Sequence, residues 1–288
     1  MAQNLSRVKR RINTVASTRK ITNAMKLVSS VKARKLTKEF DVCKTFNVEL
    51  NKTFDLATKD LSFEELANLS SLFVENKNSN KTLYIIVMSN MGLCGNYNGN
   101  LYKYFETLYK EGDEVIAIGN KLRGYFARNK DVKINFDYID ILNHFNFTKA
   151  KLFSSKLCEI YLNGDYKDIK IIHSTYVNSL VFKSVSTDFL PVKQSLSEES
   201  WAYEPIYGGS KAEFIKEFLP MYLANVLYNI MFESLLCEET SRRNSMDNAD
   251  KNAQELMDNL NLEYNKARQA SITQEITEVV NGSLAVNK

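Results

Sequence analysis

Helix breakers are scarce in this sequence. Proline occurs three times in 288 residues, at Pro191, Pro205 and Pro220. Glycine occurs ten times, with none before Gly92 and none between Gly209 and Gly282. Both chain ends are therefore free to form long uninterrupted helices. Histidine is limited to His144 and His173, which leaves little scope for metal or general-base chemistry. The four cysteines, Cys43, Cys94, Cys158 and Cys237, are scattered without a CxxC spacing. That arrangement excludes a zinc ribbon and a disulfide framework, and it suits a reducing compartment. No run of about 18 apolar residues is present, and the basic start lacks an apolar core, so neither a membrane span nor a secretory signal is expected. Acidic residues are missing from the first 38 positions, which carry eleven Lys or Arg. The rest of the chain is then net negative at −7, and a positive field is concentrated on one segment. A solvated face, nucleic acid, an anionic membrane surface and acidic protein loops are all compatible with that charge alone.

What is present is periodicity. From Met221 to Val280 apolar or small residues recur at Leu223, Leu227, Ile230, Ser234, Cys237 and Ser241, then at Ala249, Ala253, Leu256, Leu260, Tyr264 and Ala267. Steps of three and four predict one helix about 90 Å long, too long for one compact domain. At the other end Leu5, Val8, Ile12 and Val15 start a similar stripe. It resumes at Ile21, Met25 and Val28, then Leu36, Phe40, Cys43, Phe46, Leu50 and Phe54. Two narrow-striped helices most economically bury each other as an antiparallel coiled coil, with a register shift expected around Thr18 to Leu36.

The texture between them differs. Asp60 to Asn80 is polar, and Asn76 to Asn80 reads as a loop that ends the first unit. Thr82–Met88 and Glu114–Gly119 read as buried strands, Val132–Phe136 as a third, and Asp168–Val177 and Leu180–Val185 as two more turned at Asn178 and Ser179. Asn100–Glu111, Lys121–Asn129 and Phe147–Leu162 have helical spacing, and irregular sequence runs on to Ser210. The expected fold class is α/β: a long antiparallel coiled coil of the N- and C-terminal helices plus a central Rossmann-like α/β domain with a mainly parallel sheet. The expected divisions are 1–58, 59–208 and 209–288. Ser210 and Glu213 have capping-box spacing, so the last helix starts there and is kinked by Pro220, unless Pro220 marks its start.

Candidate chemistry is thin. Met91-Gly92-Leu93-Cys94-Gly95-Asn96 follows the first strand, where phosphate loops sit, but it has neither GxGxxG spacing nor a following GK[ST]. A structural turn is the stronger reading, with Gly92 and Gly95 relieving crowding between helix and strand. No histidine has a signature pairing it with Cys94, and His173 lies in a strand-like run that suits packing. Glu255, Asp258, Glu275 and Glu278 have helical neighbours and read as a solvated or partner-facing surface. No catalytic residue, metal ligand or cofactor site is expected. Tyr264–Thr273 (YNKARQASIT) carries Arg268, Gln269 and Thr273, which can bond a partner, beside small Ala267 and Ala270.

Three segments together resemble the gamma subunit of the F-type ATP synthase: RRINTVASTRKITNAMKLVSSVKARKL, the central GLCG, and MDNADKNAQELMDNLNLEYNKARQASITQEITEVVNGSLAV. The resemblance implies a non-catalytic central rotor inside a ring of three alpha and three beta subunits, one copy per complex. An epsilon subunit and a membrane c-ring would lie at its foot, with no nucleic acid bound. It implies that Arg268, Gln269 and Thr273 meet loops of the beta subunits. Met25, Lys26 and Arg242 would lie at further ring contacts, and Ile272, Ile276, Val279 and Val280 would form an apolar bearing. The implied location is peripheral, at the cytoplasmic face of a bacterial plasma membrane. Ser89, Asn90 and Met91 before GLCG, Asn96 after it, and Arg243 and Asn244 depart from the family's usual residues. Those departures are compatible with a specialised F1-like ATPase not coupled to ion transport. Two readings of other classes are an enzyme with a Rossmann-like domain and dimerising helices, and a coiled-coil protein binding nucleic acid through its basic helix.

Overall fold

The computed structural model describes residues 2–127, 132–194 and 207–286, with side chains placed from Leu5 to Gly282 within those ranges. Two long helices bound the chain: α1 at Ala2–Thr58 and α6 at Lys211–Val286. Between them run α2 (Phe63–Leu69), β1 (Thr82–Val87), α3 (Tyr97–Leu108), β2 (Glu114–Ile118), α4 (Leu122–Phe126), β3 (Lys133–Asn135), α5 (Phe147–Leu162), β4 (Asp168–Tyr176) and β5 (Phe182–Leu190). Contacts separate two units: Met1–Ser30 with Arg242–Lys288, and Val31–Ser241. The α1 residues Leu50 and Phe54 and the α6 residues Leu223 and Leu227 share one core with the sheet, which places the end of α1 and the start of α6 in the Val31–Ser241 unit.

In the Val31–Ser241 unit the sheet order is β3-β2-β1-β4-β5, parallel except for the antiparallel β4–β5 pair. Alternate residues of the strands enter separate cores, as the pleat requires. Ile85, Val87, Ile116, Ile169 and Ile171 pack with α1, α5 and α6. Tyr84, Ile86, Met88, Val115, Ala117 and Ile172 pack with α3 and α4. Burial on both faces explains why TLYIIV and EVIAI are continuous apolar runs and not alternating ones.

Two middle segments carry elements that their sequence does not announce. In the polar stretch after Asp60 a Ser62–Glu65 capping box starts α2 and a 3-10 turn at Ser71–Phe73 follows, while residues 76–80 form the expected loop. Leu66, Leu72 and Phe73 anchor it in the core. β5 continues to Leu190 through residues expected to be irregular, because Ser184, Ser186 and Asp188 alternate with Val185, Thr187 and Phe189 on an edge strand paired along its length with β4. Asn178 turns the hairpin as expected, its side-chain oxygen accepting from the backbone N–H of Leu180 and Val181.

α6 starts as the spacing predicts: the Ser210 N–H donates to Glu213 at 3.1 Å and the Glu213 N–H donates back to Ser210 Oγ at 3.1 Å. Pro220 lies inside the helix and so does not mark its start.

The helix seams correct the expected stripes. In the Met1–Ser30 unit, α1 is most covered at Val8, Ile12, Val15, Arg19, Thr22, Lys26 and Ser29, spaced four and three without a break. Ala33, Leu36 and Phe40 keep the same spacing in the other unit. The register shift is thus absent: the seam between Thr18 and Leu36 is filled by polar and small residues. Ile21 and Val28, expected to be covered, are 61% and 56% exposed, and Phe46 is exposed too. On α6, Met257 takes the place assigned to Leu256, which is exposed.

Candidate functional site

In the Met1–Ser30 and Arg242–Lys288 unit the helices pair antiparallel. Arg19 Nε donates to Asp250 at 3.1 Å, and Lys26 Nζ lies 2.6 Å from Asp247. Hydrogen bonds from Lys251 and then Lys26 hold the Asp247 carboxyl down at about 2. Lys26, an expected partner contact, is therefore already paired within the chain, and neighbouring Met25 is half-buried. Arg242, another expected contact, is 3% exposed.

With Arg19 opposite Asp250, the first residues of α1 fall level with Ala267 on α6. Beyond that point α6 loses its companion, and residues 272–282 are all exposed. Ile272, Ile276, Val279 and Val280 are 45–73% exposed. Arg268, Gln269 and Thr273 also face solvent. Among the described residues the Arg268 and Gln269 side chains make no ion pair or hydrogen bond, while Thr273 Oγ1 donates to the Gln269 carbonyl. The carboxylates nearby bond along their own helix, Gln254 to Asp258, Ser271 to Glu275 and Gln274 to Glu278.

In the Val31–Ser241 unit, the chain rises on opposite sides of β1 and β4, and a doubly wound sheet binds ligands in the crevice at such a reversal. Here the crevice is occupied by α6. Ser241 Oγ donates to the Cys94 carbonyl at 2.8 Å, and Tyr97 Oη donates to the Ser234 carbonyl at 3.2 Å. From the β4 side, the Tyr176 N–H donates to Glu233 at 2.8 Å, and Cys237 Sγ approaches the Ser174 carbonyl at 3.5 Å. The loop after β1 is a turn, as expected, but not for the expected reason. Gly95 is needed for its φ of +58°, and a side chain on Gly92 would meet only the flexible end of Lys121. Backbone crowding falls at Gly119 instead, whose added Cβ would lie 2.1 Å from the Met88 carbonyl oxygen. Sequence reasoning flagged the loop but missed Tyr97, Glu233 and Ser241. For Glu233 and Ser241 the sequence signal is that polar residues occupy the buried stripe of α6; Tyr97, on α3, has none.

His173 is packed, as expected, with Nε2 2.9 Å from Thr187 Oγ1, and burial pushes its pKa down to about 4. The folded chain therefore refuses a proton that the unfolded chain accepts below its ordinary value of about 6.5. Above that value the residue is neutral in both states. As pH falls from 6.5 toward 4, His173 alone should cost about 1.4 kcal/mol of stability per unit. Urea unfolding at pH 7 and pH 5 checks this. The loss between the two should shrink by about 2 kcal/mol in His173→Gln, and an equal loss in both proteins would refute it. Among the described residues no group of three or more His, Cys, Asp or Glu side chains is placed to hold a metal, and no helix is long and apolar enough to cross a membrane.

In sequence the chain matches a known family over nearly its whole length. The ATP synthase family model covers residues 4–286. A 282-residue match at 33% identity to the ATP synthase gamma chain of Mycoplasma capricolum spans 97% of this chain and 98% of that protein. The chain belongs to the ATP synthase gamma chain family. The gamma chain of Clostridium pasteurianum is 34% identical, covering 99% of each chain. In fold, this gamma-family chain is similar to a chain of the Euglena gracilis mitochondrial ATP synthase OSCP/F1/c-ring structure. The TM-score is 0.69 at 16% identity, over 99% of this chain and 95% of that one. A chain of the same enzyme's rotor gives 0.65 at 17% identity, over 94% and 100%. Gamma chains are the central stalk of F1, and the rotor reading of the sequence stands. The gamma chain is a subunit of the ATPase complex.

Proposed function

We propose that this chain is a non-catalytic rotor that converts angular position into unequal conformations of three beta subunits. What carries the reading is the uncovered end of α6, where a rigid helix presents Arg268, Gln269 and Thr273 beside an exposed apolar face at Ile272, Ile276, Val279 and Val280. The polar groups are contacts to be made and broken at each step. Hydrogen bonds worth about 1 kcal/mol net, somewhat more for the charged Arg268, suit that use, because each is strong enough to bias an angle and weak enough to release. The apolar face is a low-friction bearing against a ring of alpha and beta subunits, since apolar contact has no directional preference. Met25 and the exposed basic residues of α1 meet acidic loops of that ring. Lys26 joins them by exchanging its bond with Asp247, a partly exposed pair of small net worth. Shaft angle and nucleotide affinity are then reciprocally coupled. Ion flow turning the shaft drives synthesis, and hydrolysis turns it back.

The partners proposed are three alpha and three beta subunits, with an epsilon subunit and a membrane c-ring at the foot. The complex would lie peripherally at the cytoplasmic face of a bacterial plasma membrane. Stoichiometry tests the rotor reading most directly. Purified from native cells, the chain should co-migrate as one copy to three of each large partner. An equimolar complex, or a chain recovered alone with nucleic acid, would overturn the proposal.

A further inference from the structure

We propose that Tyr97, Glu233 and Ser241 index the rotation of α6 against the sheet, and so form the path by which torque passes between the sheet and the shaft. The inference rests on the rotor reading and adds the residues that keep helix and sheet from slipping.

The argument starts from how α6 is held. Leu223, Leu227, Ile230 and Met231 pack it on one face of the sheet. Apolar packing of this kind resists separation but has no directional preference, so it opposes rolling of a helix about its own axis only through shape. Hydrogen bonds weaken steeply once bent or stretched. A side-chain atom at roughly 5 Å from the helix axis moves about 1.7 Å when the helix rolls by about 20°, which is enough to break a bond of normal length.

The bonds are arranged to use that sensitivity. Glu233, Ser234, Cys237 and Ser241 occupy one face of α6 over two turns. From the β1 side, Cys94 accepts from Ser241 and Tyr97 donates to Ser234. From the β4 side, the Tyr176 N–H donates to Glu233. The helix is thus held from both walls of the crevice, and rolling either way stretches bonds on one wall. The Tyr97 hydroxyl donates from a fully buried site, and burial pushes its pKa well above the ordinary value, so it remains a donor. The Glu233 carboxylate is partly buried and keeps its acceptor aimed at the backbone N–H at the end of β4.

Angular fluctuation of a probe on the exposed surface of α3, measured in the assembled complex with the ring immobilised, tests the proposal. The variance at a dwell reports the torsional stiffness between sheet and shaft. Tyr97→Phe, Glu233→Leu and Ser241→Ala together should widen it at least two-fold, and Ser241→Ala alone should widen it measurably. Glu233→Gln and Ser241→Thr, which keep the acceptor and the hydroxyl, should restore it. A purely structural role predicts lower melting temperature in the triple variant with unchanged variance, and that result overturns the proposal. If the triple variant does not fold, unchanged variance in Ser241→Ala overturns it instead. Failure of the rotor reading would look different, since the unmodified complex would then show no rotation at all.

Discussion

Gly119→Ala should be the most damaging conservative change in the chain, lowering stability by about 4 kcal/mol and the melting temperature by roughly 10 °C. Two costs coincide there. Gly119 has φ +93°, which an L side chain adopts only under strain. The new methyl carbon would also sit 2.1 Å from the Met88 carbonyl oxygen and 2.6 Å from its carbon. Neither neighbour can yield cheaply. The Met88 N–H donates to Ile118 at the end of β2, and the Gly119 N–H donates to the Ile139 carbonyl, so both sides are held by backbone hydrogen bonds. Against a total stability of about 5–15 kcal/mol, the loss is large enough to impair folding in a cell. Gly124→Ala is the control. It lies in α4, meets nothing within 4 Å and should stabilise by about 0.5–1 kcal/mol. Thermal and urea unfolding of the two variants check the pair, and equal stabilities would refute the backbone-crowding account.

How far the sequence announced this architecture depends on which physical signal each part emits. Long breaker-free stripes predicted both terminal helices, and continuous apolar runs predicted β1 and β2, because burial on one stripe or on both faces leaves a periodic trace. Edge strand β5 left a weaker trace, since its serines alternate with residues that are themselves partly exposed. The α1 seam was misread where it passes through Arg19, Thr22, Lys26 and Ser29. Apolarity alone selects Ile21 and Val28 there, but spacing and ion pairing keep the polar residues inward. The crevice contacts were invisible for a different reason. Ser241 and Glu233 look like ordinary helical polar residues until the loop after β1 and the end of β4, 147 and 57 positions away in sequence, supply a carbonyl and an N–H to bond. Gly119 was missed because a single glycine after a strand carries no local sign of what approaches it. Resemblance to a family, by contrast, is carried in part by the exposed end of α6. Within YNKARQASIT the chain's own packing partly covers Tyr264, Ala267 and Ser271 but leaves Arg268, Gln269 and Thr273 exposed, so on the proposed reading those residues face a partner.

That last point gives the prediction with the largest functional effect. Replacing Arg268 and Gln269 together by Leu should leave the isolated chain's stability within about 0.5 kcal/mol, because both side chains are exposed and, among the described residues, unpaired. The assembled complex should respond strongly. Two bonds to the ring at about 1 kcal/mol or more each, one of them charge-assisted, correspond to at least a tenfold loss in assembly affinity or ATP turnover. The two leucines also extend the apolar face at Ile272 and Ile276 without supplying donors, so packing alone would be kept or increased. A bearing that worked by apolar contact only would therefore tolerate the change, whereas one that needs angular registration by directional groups would not. Steady-state ATPase of the reconstituted complex, together with its dissociation on dilution, separates the two. Unchanged turnover and unchanged assembly would remove Arg268 and Gln269 from the mechanism and leave the exposed apolar end as a passive support.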